Sequence, residues 1–477
     1  MEPRQSRLLA VEDAGFYPAS PSSEFIHSSV LSLCVLVVFE SEIPIDDSET
    51  MTLLKKDFLP VNPRFSSLLL KDEKGKQKWK RVEVTLQDHV IVPTFPVGLE
   101  PDAYDGCFKE YLSKIFMEKL PEDRPLWEIH LFKYPTRDAA GIAVFKLHHA
   151  IGDGFSLMGA LFSCLKRADD PSLPLNFPAA SVKECQLRGN GVVRLWRGVS
   201  GALGGCWNTS FDFCRSVLMS TVMVDDRSAI RSGTMEVEKE PVSISTVTLS
   251  LDIIRQIKSN IGGTVNDVAV GTIFYAIQLY KQRTSQNSSG TRMTALVLLN
   301  TRMLSGYQSL NDMLRQNTWG NNFTFLHVGI PSCKDAEKAD PLAFIYKARK
   351  TIKRKKNSFA VVLTGRLLQM LRSIRGPEAA SRFIRGTLEN TSTAISHLIG
   401  PMEKMDLGNH PVKSFYFTVA GAPQSIGLTM VSYHGNLRLS VAGEKGFIDS
   451  ELLTSCVKEA FDKIYTVACG KNGIKQR

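Results

Sequence analysis

A pair of adjacent histidines followed by a Gly-Asp-Gly turn is the part of the sequence best suited to chemistry. It lies in the segment Gly141–Arg167, which reads GIAVFKLHHAIGDGFSLMGALFSCLKR. The apolar, β-branched start predicts a buried strand ending at His148 and His149, and the later periodicity predicts a helix from Phe155 or Ser156. Adjacent residues of an extended chain point to opposite faces, so only one imidazole can project into a given cleft.

A histidine at a strand end could serve as a general base. Its ordinary pKa, about 6.5, lets the neutral imidazole accept a proton near neutral pH and return it later. Asp153, four residues after His149, could fix the turn or pair with a cation. The structural alternative is a histidine that is simply hydrogen-bonded at the strand end, but two adjacent histidines before Gly-Asp-Gly favour the catalytic interpretation.

Motifs for other kinds of catalysis do not occur in the sequence. It contains no G-x-S-x-G elbow, no H-E-x-x-H helix and no G-x-x-x-x-G-K-[ST] loop. We therefore expect no acyl-enzyme serine, no metal and no permanently bound cofactor.

The histidine segment resembles a known family. HHAIGDG is similar to the HHxxxDG signature of the CoA-dependent acyltransferases, which include carnitine acyltransferases, nonribosomal-peptide condensation domains, plant BAHD acyltransferases and the wax ester synthase/diacylglycerol acyltransferases. The DFGWG-type segment of BAHD enzymes and the carrier serine motif that accompanies condensation domains are absent. From about residue 55 to near the C-terminus, further segments resemble the plant wax ester synthase branch: Asn62–Phe65, Asp88–Val90, Pro125–His130, Gly262–Val268, Asn300–Arg302, Trp319–Phe323 and Ser396–Pro401.

The resemblance implies a fold and a reaction. It implies an α/β (α+β) fold of two lobes, two similar mixed-sheet halves with a tunnel between them. It also implies transfer of a long-chain fatty acyl group from the co-substrate acyl-CoA to a long-chain fatty alcohol or to diacylglycerol. In that family the second histidine, here His149, is the base, and Asp153 is chiefly structural. An alcohol needs its proton removed whereas a thioester is already activated, so one base suffices.

Two alternatives stay open from the sequence. One is an acyltransferase with another acceptor, such as an amine or a small alcohol. The other is a non-catalytic homologue that binds acyl-CoA or lipid, which the presence of His149 and Asp153 disfavours.

Candidates for substrate contact each have a structural alternative. Pro125, Leu126 and Trp127 could line the acyl pocket, although a Trp beside a Leu is usually core. Asn266 and Asp267 border the tunnel if the resemblance holds, but residues that precede an apolar helix are most often its N-cap.

Polar residues at predicted strand ends complete the set of candidates. Asn300 with Arg302, and Asn321 with Asn322, could meet the substrate or the developing oxyanion, or could simply satisfy turns. Gly154, which ends the HHAIGDG segment, is a further candidate for substrate contact.

The 477 residues and 43% hydrophobic content predict two or three folded units. The proline-rich stretch Asp169–Ala180 is the best boundary. We expect an N-terminal lobe over residues 1–180, a connector over 181–240 that could lie in a membrane interface, and a C-terminal lobe over 241–477.

The charge favours partners that carry phosphate. Lys and Arg number 58 against 48 Asp and Glu, a net charge of +10. Acyl-CoA or an anionic membrane satisfies that preference, and without any nucleic-acid-binding motif we expect no nucleic acid. Nine cysteines, none spaced C-x-x-C, predict reduced thiols in a protein that faces the cytosol. The acidic, proline-containing opening does not read as a secretion signal.

Membrane association is expected without a spanning helix. No run reaches the 18 apolar residues that a span needs. The segment Asn190–Val224 could lie in the interface or be a connector packed on the protein. The basic run Lys347–Lys356 could meet anionic lipid, be a solvated helix end or bind the phosphates of CoA. The expected place is the cytosolic face of the endoplasmic reticulum membrane, with the plasma membrane as alternative.

Overall fold

The structure is a computed structural model and describes residues 16–72, 76–176, 209–284, 290–304, 318–356 and 358–470. The strands are β1 Phe16–Pro18, β2 Cys34–Ser41, β3 Ser67–Lys71, β4 Gln77–Arg81, β5 Val90–Ile91, β6 Trp127–Phe132, β7 Gly141–His148, β8 Lys166–Arg167, β9 Val242–Ser250, β10 Thr294–Asn300, β11 Phe323–Gly329, β12 Thr393–Ile399, β13 Met405–Asp406, β14 Val412–Ala420, β15 Ile426–Tyr433 and β16 Asn436–Glu444. The helices are α1 Pro21–Ile26, α2 Asp47–Leu53, α3 Pro101–Met117, α4 Gly154–Cys164, α5 209–221, α6 Leu251–Ile261, α7 Val265–Arg283, α8 Pro341–Lys356, α9 Ala360–Arg375, α10 Pro377–Glu389 and α11 Ser450–Cys469.

A five-stranded sheet forms the N-terminal half and carries the paired histidines. Its order is β14-β2-β7-β6-β5, with β7 antiparallel to both β2 and β6. Every residue of β2, β6 and β7 is buried, as expected of strands covered on both faces. β7 ends at His148, which pairs with Cys34 of β2. The pairing of these two buried strands therefore sets where the chain turns.

A six-stranded mixed sheet forms the C-terminal half. Its order is β11-β10-β12-β15-β16-β9, in which β12 runs parallel to β10 and β15 and the other pairs are antiparallel. The nearly all-buried helix α7 contributes the largest share of the core on one side of this sheet. The expected α/β fold with a mixed sheet in each half is confirmed.

One strand of the N-terminal sheet comes from the C-terminal part of the chain. This strand, β14, pairs with β2 of the N-terminal half at eight positions between Val412 and Ala420, with a bulge between Val412 and Ser414. The division at residues 180 and 240 therefore does not describe the two halves completely. Such an exchange cannot be read from local sequence patterns, because it is a pairing between residues almost 400 positions apart.

The predicted connector over 181–240 is only partly described. Residues 177–208, which include most of the segment Asn190–Val224, lie outside the described residues. From residue 209 the chain forms α5, whose end packs against α10 through a hydrogen bond of 2.6 Å between the Ser220 and Thr387 hydroxyls. Within the described ranges, no helix combines the length and the apolar character that crossing a membrane requires.

Candidate active site

The end of β7 and the turn after it orient the side chains of His148 and His149 in opposite directions. The backbone N–H of His149 donates to the Leu33 carbonyl at 2.8 Å, and that of His148 donates to the Leu126 carbonyl at 3.0 Å. The chain then turns through Gly152 to Asp153, whose carboxylate caps α4 by accepting the Ser156 N–H at 2.9 Å. The helix thus begins one or two residues before the predicted start.

His148 is held in one tautomer by its own turn. Its Nδ1 accepts the N–H of Ala150 at 3.0 Å, so the proton of the neutral ring is on Nε2. That Nε2 lies 3.0 Å from the Ser32 hydroxyl and 3.4 Å from Nδ1 of His27. Burial, with the neighbouring His27 as a smaller contribution, holds the pKa of His148 well below its usual value. Both ring nitrogens are already engaged with protein groups.

His149 faces the opposite way and pairs with Asn321 from the C-terminal half. Its Nδ1 lies 2.7 Å from Oδ1 of Asn321, and Nδ2 of Asn321 donates to the His149 carbonyl at 2.8 Å. A carbonyl only accepts, so the amide NH2 must face it and Oδ1 must face the ring. Nδ1 of His149 therefore carries the proton, and Nε2 carries the lone pair.

The surroundings of His149 favour its neutral form. Desolvation by burial lowers the pKa of His149, while Asp153 and the hydrogen bond with Asn321 oppose that shift without cancelling it. The ring also lies against the Phe323 ring, with centroids 5.5 Å apart. At neutral pH, then, this imidazole is an unprotonated base in a largely apolar setting.

Asp153 forms a buried ion pair across the two halves. Its Oδ2 lies 2.7 Å from Nη1 of Arg302, which follows β10, and the Asn322 N–H donates to the same oxygen at 2.8 Å. Only 5% and 3% of the Asp153 and Arg302 side chains are exposed. Since both Asp153 oxygens are occupied by protein donors, the carboxylate is placed to position structure and not to meet substrate.

Gly320 is the point at which the turn of one half meets the loop of the other. Its carbonyl accepts from Nη2 of Arg302 at 2.7 Å, the Ser156 hydroxyl at 3.1 Å and the Asp153 N–H at 3.3 Å. Its φ of +122° is a conformation that favours glycine. The next residue is Asn321, so this junction sets where the Asn321 amide meets His149.

His149 lines a cavity enclosed between the halves. Leu33 and Phe116 contribute from the N-terminal half, and most of the remaining wall comes from the C-terminal sheet. Most of the lining side chains are apolar, and the polar ones include Glu238, Gln424 and Glu444. The lining from β10 to β12 and α10 is Leu298, Phe323, Phe325, Leu388, Ala394 and Ser396.

The structure places Pro125, Leu126 and Trp127 beside the end of β7, at the start of the neighbouring strand β6. All three are buried in the N-terminal half and none lines the cavity. The Trp127 indole N–H donates to the Phe65 carbonyl at 2.8 Å and its ring stacks on His89. This is the core alternative that the sequence left open, and it supports the strand that carries His148.

Asn266 and Asp267 lie at the start of α7, outside the cavity lining. Thr264 is the N-cap, and Asp267 accepts the Thr264 N–H at 2.9 Å in a capping box. Asn300 accepts the Arg302 N–H at 3.0 Å and so shapes the turn that presents the guanidinium. Gly154 is the first residue of α4, where an added Cβ would lie 3.4 Å from Leu398 of the other half.

Asn321 is the functional residue whose role the sequence did not define. It could be recognised only as a polar residue near a predicted strand end. Its partner lies 172 positions away, and no local pattern reports such a contact.

His149 is a buried histidine held in one tautomer beside a cavity between two sheets, and the sequence has no serine nucleophile motif. Such an arrangement is suited to general base catalysis without a covalent enzyme intermediate. Two family models match the chain. The wax ester synthase/diacylglycerol acyltransferase catalytic domain matches residues 9–269, and the WS/DGAT C-terminal domain matches residues 319–465. The chain belongs to the wax ester synthase/diacylglycerol acyltransferase family, which confirms the resemblance seen in the sequence.

Curated relatives and solved structures agree with this membership. The chain is 30% identical over 456 residues to wax ester synthase/diacylglycerol acyltransferase 5 of Arabidopsis thaliana, covering 89% of this chain and 88% of that protein. It is 28% identical to wax ester synthase/diacylglycerol acyltransferase 4 of Arabidopsis thaliana, and the match covers 89% of this chain and 85% of that protein. The fold matches a wax ester synthase/diacylglycerol acyltransferase from Marinobacter aquaeolei VT8 with a TM-score of 0.58 and 13% identity, covering 95% of this chain and 100% of that one. It also matches the first condensation domain of the calcium-dependent antibiotic synthetase with a TM-score of 0.55 and 13% identity, covering 97% and 94%.

Proposed function

We propose that this acyltransferase moves a long-chain fatty acyl group from acyl-CoA to the hydroxyl of a long-chain alcohol or of diacylglycerol, with His149 as the general base. The observation that carries the proposal is the tautomer of His149. Asn321 keeps the proton on Nδ1, which leaves the Nε2 lone pair for the substrate. Family membership supports the reaction class, and the curated relatives carry both activities in their names.

The reaction proceeds through one proton transfer out and one back. Nε2 of His149 takes the proton of the acceptor hydroxyl as its oxygen attacks the thioester carbonyl carbon. The tetrahedral intermediate then expels the CoA thiolate, which receives the proton from the imidazolium. The C–O bond of the ester forms, the C–S bond of the thioester breaks, and the base returns to its starting state.

Asn321 acts through His149. In the imidazolium state Nδ1–H still donates to the Asn321 oxygen, so the ring keeps its orientation while Nε2 is charged. A neutral amide supports this charge less than a carboxylate does, and it therefore does not hold the resting base in its protonated form.

The cavity wall favours an apolar acceptor and an apolar acyl chain. Leu33, Phe116, Phe323 and Leu388 give the cavity that His149 lines an apolar surface that a hydrocarbon chain can cover. A small amine or a small alcohol would leave much of this surface against water, and a non-catalytic lipid-binding homologue would have no use for the fixed tautomer of His149. Both alternatives are outcomes of the following experiment.

The test is product analysis with purified full-length protein. Labelled palmitoyl-CoA is incubated separately with hexadecanol, dioleoylglycerol, a long-chain primary amine and a short phenolic alcohol, and the products are separated. We expect wax ester or triacylglycerol. Product only with the amine or the phenol would show that the acceptor is not a long-chain alcohol or diacylglycerol. No product with any of them would favour the non-catalytic homologue that binds acyl-CoA or lipid.

We further propose that the protein works at the cytosolic face of the endoplasmic reticulum membrane, attached peripherally. Its proposed acceptors partition into bilayers, and the chain carries a net charge of +10. Fractionation of cells that express the tagged full chain tests this proposal. We expect the protein to be recovered with the endoplasmic reticulum and to be released in part by salt. Recovery with the plasma membrane alone would show that the protein works at that membrane instead.

A further inference from the structure

Helix α9 exposes an unusual amount of apolar surface. Ala360 is its only fully buried residue. Val362, Met370 and Ile374 are 49%, 52% and 73% exposed, and Phe359 just before the helix is 73% exposed. Residues 362, 366, 370 and 374 are spaced by four, so this stripe follows one outward face with Arg366 within it.

A second apolar stripe lies on α5 and begins beside the first. Phe211, Leu218 and Val222 are 50%, 44% and 69% exposed. The Phe359 N–H, at the start of α9, donates to the hydroxyl of Thr209, at the start of α5, at 3.3 Å. The exposed phenylalanines of the two stripes therefore lie at a shared junction between the helices.

Positive charge is concentrated along α8 and α9. Residues 341–375 contain no Asp or Glu. The buried Asp212 of α5 is already bound by Arg354 at 2.9 Å and Lys355 at 2.7 Å. Ten cationic residues occur in that stretch: Lys347, Arg349, Lys350, Lys353, Arg354, Lys355, Lys356, Arg366, Arg372 and Arg375. Those that are exposed and have no acidic partner nearby in this stretch include Lys350, Lys353 and Lys356 of α8. An apolar stripe beside such cations complements the acyl boundary and the headgroups of an anionic bilayer.

The inner face of α9 adjoins the wall of the catalytic cavity. Leu368 packs on a small apolar cluster that includes Leu33 and Leu388, with Phe323 and Phe325 also packed against it. Leu33, Leu388, Phe323 and Phe325 line the cavity that contains His149. The apolar cluster on which Leu368 packs is therefore continuous with the cavity wall.

We propose that the outward faces of α9 and α5, with the basic end of α8, form a docking surface for an anionic phospholipid bilayer. Lipid acceptors then enter the cavity from the membrane beside α9. The docking itself is independent of the proposed function, whereas the delivery of acceptor rests on it. Arg372 of α9 pairs with the buried Glu24 of α1 at 2.7 Å, which keeps the helix seated while its outer face meets lipid.

Sedimentation with vesicles tests the docking. The full chain is mixed with vesicles of phosphatidylcholine alone or of phosphatidylcholine with phosphatidylserine. The triple variant Val362→Ser/Met370→Ser/Ile374→Ser should bind the anionic vesicles at least about tenfold more weakly than wild type, since each side chain loses its apolar burial. The matched control Ile43→Ser/Val97→Ser/Leu173→Ser, which changes exposed apolar residues elsewhere, should bind as wild type does.

Several outcomes would overturn the docking surface. They are wild type that does not sediment with anionic vesicles, wild type that binds both vesicle types equally, and a triple variant that binds as wild type does. A triple variant that loses self-association instead of vesicle binding would assign the stripe to a second copy of the chain.

Activity measurements separate this proposal from the proposed function. With dioleoylglycerol in anionic vesicles the triple variant should lose turnover, and with dioleoylglycerol dispersed in a nonionic detergent it should turn over as wild type does. Equal loss in vesicles and in detergent would overturn the delivery role. Vesicle binding as predicted, in a wild type that forms no ester with any acceptor, would leave the docking standing and overturn the proposed function.

Discussion

Asn321 holds His149 through two hydrogen bonds. The amide accepts the ring proton and donates to the carbonyl of the same histidine, so it fixes both the tautomer and the orientation of the base. His148, one residue earlier, has both nitrogens engaged by Ala150, Ser32 and His27. Two identical side chains thus take different roles because the turn engages the nitrogens of one ring and leaves Nε2 of the other toward the cavity.

A change of Asn321 should move the pH profile of the reaction. The pKa of His149 is lowered by burial, so in wild type the acid limb of kcat/KM should lie below the ordinary value of about 6.5. In Asn321→Asp the carboxylate stabilises the imidazolium, so the pKa rises and the acid limb moves to higher pH. The measurement is kcat/KM from pH 5 to pH 8 for both proteins.

Asn321→Leu provides the control for this prediction. It removes the acceptor of the ring proton and should lower kcat by about one to two orders of magnitude, less than loss of the base itself. An acid limb at the same pH in all three proteins would exclude the proposed coupling between Asn321 and His149.

At the scale of elements, α4 and the loop after β10 meet through Asp153. One oxygen of Asp153 caps the helix and the other binds Arg302 and the Asn322 N–H. Neighbouring Asn321 belongs to the same loop, so the ion pair also sets the distance between the two halves at the base.

Asp153→Asn should destabilise the protein and lower activity together. The amide can still cap α4, but it leaves the Arg302 guanidinium buried without its counter-charge, which costs about 3–5 kcal/mol. Thermal denaturation and turnover are measured on the same preparation. The matched control Asp102→Asn breaks an ion pair with Arg137 that is exposed on both sides, and its thermal midpoint should stay close to that of wild type. Lost activity at an unchanged thermal midpoint would assign Asp153 a direct chemical role.

Local elements of this fold could be predicted from the sequence, whereas contacts between them could not. The apolar patterns of the sequence predict a strand over Gly141–Leu147 and a helix over Val265–Lys281, and the structure extends them to His148 and Arg283. The alternating run Lys80–Leu86 also predicts a strand, but β4 ends at Arg81, where its pairing with β3 and β1 ends. The pairs His149–Asn321 and Asp153–Arg302 join segments that are far apart in the sequence. The sequence could therefore indicate each residue as a candidate, but it could not predict which residues are in contact.

At the scale of the whole molecule, one strand from the C-terminal part of the chain completes the N-terminal sheet. β14 ties the N-terminal sheet to the C-terminal part of the chain, and Arg438 of β16 binds Glu40 of β2 across the halves. Both features couple the halves around the cavity, so we expect them to unfold together.

Buried histidines should make the stability fall in mild acid. Burial lowers the pKa of His327 to about 3 and of His397 to about 4, and those of His148 and His149 also lie below the usual value. Between the unfolded value of about 6.5 and these folded values the unfolded chain binds more protons, so stability decreases as pH falls. Each such histidine contributes up to about 1.4 kcal/mol per pH unit.

Thermal denaturation from pH 7.5 to pH 5 measures this loss. The midpoint should fall over that range, and His397→Leu should show a smaller fall because it removes one site of proton uptake on unfolding. A midpoint that is constant from pH 7.5 to pH 5 would mean that these histidines titrate normally in the folded protein.

The central claim is that His149 is the base for acyl transfer, and its replacement tests that claim most directly. Release of CoA thiol and formation of ester from palmitoyl-CoA with hexadecanol or dioleoylglycerol are measured for wild type, His149→Ala and His148→Ala, with thermal midpoints to verify folding. His149→Ala should lose about 10²–10⁴-fold in kcat at a midpoint close to that of wild type. His148→Ala should lose less activity, and mainly through stability. Wild-type turnover in folded His149→Ala, or a larger intrinsic loss in His148→Ala, would contradict the account.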